Sequence, residues 1–139
     1  MSDATTIRVG ADTIAAALTA AWNAGDSAAF AREFTSDADF VNIFAMHFTG
    51  RDAIAKAHQF IFDGFYRGSR NAFSVVKTRA FGSDAIVAHI AADLQIPQGP
   101  MAGSLRSLAT AVLVRGASGW SIVSFHNTRE QAPPEILPA

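Results

Sequence analysis

The sequence predicts an α+β domain, and three observations carry that expectation. Apolar stripes with helical spacing are confined to the first 65 residues. From residue 71 the apolar period changes to two, as in half-buried strands. The two kinds of element are segregated along the chain, not alternating as they do in parallel α/β folds. A chain of 139 residues forms one domain large enough for a real core.

Residues 1–10 read as a loose leader, with Asp12 placed to cap the first helix through its carboxylate. Ile14, Ala17, Leu18, Ala21 and Trp22 then make one amphipathic face. Gly25 suits a left-handed helix end, and Asp26 can cap a short second helix with Phe30 and Phe34 on one side. "SDADFVNIF", residues 36–44, alternates as a strand, and "AMHFTG" bends or pairs back on it. Thr49 and Asp52 resemble a capping box for a third helix. That helix has Ile54, Ala57, His58, Ile61, Phe62 and Phe65 on one stripe. "YRGSRN" reads as a loop. Four strands follow over 72–81, 85–96, 104–115 and 120–128, joined by "GSD", "PQGPMAG" and "GASG". The domain thus spans 11–130, and 131–139, with three prolines, reads as an irregular tail.

Half of the residues are apolar and only 17% are charged, against roughly 25% in ordinary soluble domains. One core does not hide that much apolar surface, so a homodimer is expected. A net charge of −1 carries no footprint for nucleic acid or an anionic membrane. No apolar run reaches the length of a membrane span, and no N-terminal signal segment is visible, so a cytoplasmic location is expected. There is no cysteine. No two histidines have metal-site spacing, so no metal is expected. Phosphate loop, dinucleotide fingerprint and nucleophile elbow are all missing from the sequence, so no cofactor is expected.

Chemistry must then come from polar residues that break the apolar pattern. His58 occupies a slot in an apolar stripe, where burial lowers its basicity and leaves a neutral imidazole. The same slot also suits a core histidine bonded to a backbone carbonyl. At the end of the last strand His126 and Asn127 have opposite parity, so one of them points inward. Asp39 and Asn42 likewise lie on opposite faces of the first strand. Asp39 is a candidate base, or a carboxylate that orients a histidine, or by default a strand-entry residue exposed to water. Arg106, if inward, would need a carboxylate or an anionic ligand; if outward, it is solvated or pairs across a subunit interface.

"AWNAGDSAAFAREFTSDADFVNIF", "FTGRDAI" and the closing "GWSIVSFHNT" resemble the NTF2-like superfamily, with its SnoaL-like and cystatin-like cone folds, and most closely the SgcJ/EcaC family. The resemblance covers about residues 11–130. It implies three helices packed on a strongly curved, mostly antiparallel sheet around a pocket, and a homodimer formed through the convex face. Proteins of that kind are described as oxidoreductases or have no assigned function, and some act in polyketide or enediyne tailoring. For this chain it implies a cofactor-free acid–base enzyme, of the isomerase, cyclase or dehydratase kind, acting on an apolar carbonyl-bearing metabolite. The positions matching the acid–base placement of such proteins are Asp39, Asn42, His58 and His126, with His58, Asp39 and His126 expected to be catalytic; Trp22, Phe40 and Phe62 would supply the apolar wall. From strand parity, Asn42, Asn127 and Arg106 are further candidate ligand-binding residues. The alternative is a non-catalytic binding or dimerisation module.

Overall fold

The computed structural model describes residues 3–136. Helix α1 spans Asp3–Asn23 and α2 Ser27–Arg32. Strands β1 (Phe34–Val41) and β2 (His47–Thr49) precede α3 (Arg51–Asp63). Strands β3 (Arg70–Phe81), β4 (Ala85–Ile96), β5 (Gly103–Gly116) and β6 (Gly119–Arg129) complete the domain. The sheet order is β2-β1-β6-β5-β4-β3. Only β1 and β6 run parallel; every other neighbour is antiparallel. The expected α+β cone, with a curved sheet and three helices, is what the chain forms.

The helix starts differ from the sequence reading. Residues 3–10 are the opening turns of α1, not a leader, and residues 1–2 lie outside the described part. Asp12 is therefore inside the helix, where it accepts from Arg8 at 3.1 Å. The reason is packing: Gly10 and Ala11 lie against the sheet, with Gly10 beneath the Trp120 indole. The Thr49–Asp52 capping box does not form either. Gly50, at φ 95°, is the N-cap of α3 and makes no side-chain cap, while the Thr49 hydroxyl donates to Asp39. The cap at Asp26 is present, with its Oδ1 accepting the Ala29 N–H at 2.9 Å and Gly25 at φ 64° before it. Residues 130–136 contain no helix or strand, and 137–139 lie outside the described part.

Register shifts interrupt the β1–β6, β3–β4 and β5–β6 ladders. Each extra residue bends and twists its strand, which curves the sheet around one face. Leu18, Phe30, Phe34, Ile86, Ile90, Leu113, Ile122 and Phe125 are fully buried between that face and the helices. Towards the ends of β1 and β6 the packing opens. None of the described helices is long and apolar enough to cross a membrane.

Candidate functional site

The concave face encloses a cavity of about 320 Å³. That volume lies in the range of small-molecule sites. Its wall is aromatic, and Trp22 is the hub. The Trp22 ring centroid lies 5.0 Å from Phe62, 5.9 Å from Phe30 and from Tyr66, and 6.1 Å from His58 and from Phe73. Its indole N–H donates to the Ser69 hydroxyl at 3.0 Å, which fixes the ring. Phe44, Met46 and Phe60 line the same cavity yet are 53%, 54% and 72% exposed, so they mark its mouth.

His58 faces this space from α3. It is 4% exposed. Its ring lies 4.1 Å from Phe30 and 4.9 Å from Phe40, edge-on to the latter. Nδ1 sits 2.8 Å from the Ile54 carbonyl, one turn back. A carbonyl only accepts, so Nδ1 carries the proton and Nε2 keeps its lone pair. Burial pushes the imidazole down to about 4, against the Ile54 bond, which works the other way. At neutral pH the ring is uncharged and Nε2 is an acceptor aimed at the cavity.

Strand parity decides the rest. On β1, Ala38 and Phe40 face inward, so Asp39 faces out. There its carboxylate accepts from His47 at 2.7 Å and from Thr49 at 2.9 Å, and those bonds hold it below the usual carboxylate range. On β6, Phe125 and Asn127 line the cavity, so His126 is exposed on the outer face beside Thr110. Arg106 lies between the inward Leu105 and Ser107, points outward, and its guanidinium is 3.7 Å from Glu130. Asp39, His126 and Arg106 are thus outside the site. Trp22, Phe40, Asn42, His58 and Asn127 line it, and Phe62 packs behind Trp22. The Asn42 Oδ1 accepts from the Phe44 and Met46 N–H groups, both at 2.9 Å, and so shapes the mouth.

Three polar lining residues escaped the sequence reading: Tyr66, Asn71 and Ser107. Ser107 had a signal, because it shares parity with Leu105, Ala109 and Ala111. Tyr66 had one too, four residues beyond Phe62 on the extension of the helical stripe. Burial raises the Tyr66 phenol, against Arg129, which lowers it. Among the described residues Asn127 Oδ1 is the one buried side-chain polar atom without a partner. No Asp, Glu, Lys or Arg lines the cavity. No cluster of three or more His, Asp or Glu among the described residues could hold a metal ion.

The family model of the SnoaL-like domain matches residues 11–127. The chain belongs to the SnoaL-like domain family. This SnoaL-like protein is similar in structure to a domain of unknown function with a cystatin-like fold from Nostoc punctiforme, at 29% identity and TM-score 0.83 over 92% of this chain and 80% of that one. It is also similar to a ketosteroid isomerase-like protein from Erwinia carotovora, at 15% identity and TM-score 0.74 over 90% and 97% of the two chains. A third similar structure is a candidate dehydratase of the NTF2-like family from Streptomyces avermitilis, at 14% identity and TM-score 0.75 over 93% and 99%. No curated protein matches the chain.

Proposed function

We propose that this SnoaL-like protein is a cofactor-free acid–base enzyme whose cavity takes the apolar, carbonyl-bearing part of a small molecule. The observation that carries this reading is the fixed His58 tautomer, with Nε2 unprotonated and turned to an aromatic cavity. A base near 4 is weak, but a general base of similar strength serves ketosteroid isomerases on carbon acids beside a ketone. Nε2 would take the proton from such a carbon. The Tyr66 and Ser107 hydroxyls and the Asn71 and Asn127 amides are the cavity's donors for the developing oxyanion. With no counter-charge in the lining, the part of the substrate inside is uncharged.

The test is turnover of unsaturated or β-hydroxy ketones, followed over pH. The expected kcat/KM is flat above about pH 5 and falls as His58 protonates near 4. His58→Gln should lower it by at least about a hundredfold. Binding without turnover, unchanged in His58→Gln, would instead favour a carrier with no catalysis.

Assignment to the SgcJ/EcaC type, with its homodimer through the convex face, is part of the same proposal. Support comes from the low charge and from the outer sheet face, where Leu108 and Val76 are exposed and Val87, Ala91 and Val112 are half-buried. Leu108→Glu should turn a sedimenting dimer into a monomer; a wild-type monomer at micromolar concentration removes the dimer reading.

A further inference from the structure

Along β6 the residues on the cavity side are Phe125, Asn127 and, two further on, Arg129. Register confirms the side. Arg129 pairs directly with Ser107 of β5, and directly opposed residues project to the same face of a sheet. Ser107 lines the cavity. Arg129 itself is exposed and lies one inward-facing position beyond Asn127, outside the cavity lining. It is close enough to the Tyr66 phenol to act on it electrostatically.

Four other arginines around the sheet are occupied, while Arg70, Lys77 and Arg79 lie on β3, at the edge three strands away from β6. Arg8 holds Asp12 and the Val75 carbonyl. Arg51 donates twice to the Phe34 carbonyl. Arg106 faces Glu130, and Arg115 lies 4.7 Å from the Trp120 ring centre. Arg129 has no carboxylate, carbonyl or ring partner among the described residues. Its neighbour Glu130 is committed on the opposite face. An unpaired guanidinium on the cavity side of β6, next to an uncharged aromatic cavity, is a seat for an anion that the cavity itself could not admit.

We propose that the ligand carries a carboxylate that stays outside the cavity, paired with the planar fork of Arg129, while its apolar body enters the cavity and leaves the Ser107 and Tyr66 hydroxyls to the reacting carbonyl. The substrate class is then an amphipathic acid, oriented tail-first toward His58. This rests on the cavity being a ligand site, as proposed above. It adds a reason for orientation: the charged end cannot desolvate, so it sets which carbon meets Nε2.

The test uses 1-naphthylacetate and its neutral isostere 1-naphthylacetamide, titrated by calorimetry into the full chain. Wild type should bind the carboxylate about tenfold tighter than the amide, as a charge-assisted pair at a partly exposed site gives. The preference should shrink with added salt. Arg129→Gln should erase it by weakening the acid alone, and Arg129→Lys should keep part of it. Equal binding of the two compounds by wild type, or a preference that survives Arg129→Gln, overturns the anion seat and leaves the cavity reading standing. Binding of neither compound overturns both.

Discussion

Asn23 and Asn71 hold each other in both directions. The Asn23 side-chain amide donates to the Asn71 carbonyl at 3.0 Å, and its Oδ1 accepts the Asn71 N–H at 2.7 Å. This clasp ties the end of α1 to the start of β3, beside the cavity wall formed by Trp22 and Asn71. Asn23→Ala leaves two backbone groups of a half-buried strand end without partners. The expected cost is about 2 kcal/mol in chemical denaturation. A loss below about 0.5 kcal/mol would show that water replaces the clasp.

Gly10 marks a close approach of α1 to the sheet. A Cβ there would stand 2.6 Å from Trp120 Cδ1 and 2.9 Å from Nε1. Arg115 also packs on the indole, its guanidinium carbon 4.7 Å from the ring centre. Alanine at an ordinary helix position would gain up to about 1 kcal/mol. Here the overlap should outweigh that gain, and Gly10→Ala should lower stability by about 1 kcal/mol. A stabilised Gly10→Ala protein would mean that α1 does not lie against Trp120.

His58 ties stability to pH through its buried, uncharged ring. Its folded-state value near 4 lies below the unfolded value of about 6.5. The unfolded chain therefore binds more protons between those limits, and stability falls as pH drops from about 6.5 to 4. Between pH 7.5 and 4.5 this group should account for about 2 to 3 kcal/mol of the loss. His58→Leu should fold and lack that component, visible as the difference between the two proteins' denaturation curves at each pH. Identical pH slopes would place the wild-type imidazole in water.

Asp39 and His126 are controls for the outward parity of their strands. Asp39→Asn and His126→Ala should each leave ligand binding and turnover within about twofold of wild type, and stability within about 0.5 kcal/mol. A large drop in turnover with intact folding in either variant would contradict the placement of the site around His58.

Much of the architecture was legible because local patterns and tertiary demands agree. The α3 stripe put His58 on the buried face, and Gly25 with Asp26 marked the junction between α1 and α2. Asp12 and the Thr49–Asp52 pair misled because capping signals are only local preferences. Helix α1 begins earlier because Gly10 and Ala11 find the sheet, and Thr49 is drawn to Asp39 by the β1–β2 pairing. Tyr66 and Asn71 were obscured by the loop-like "YRGSRN", although both ends of that stretch line the cavity.

The sequence by itself determined the α+β class, the helical stripe bearing His58 and the polar end of the last strand, since these follow from residue spacing alone. Tertiary structure decided which member of each polar pair faces inward. A strand's two faces are equivalent until its register against β1 and β5 and its bulges commit one to the helices. That commitment sent Phe40 and Asn127 inside, put Asp39, Arg106 and His126 outside, and left His58 without a carboxylate partner.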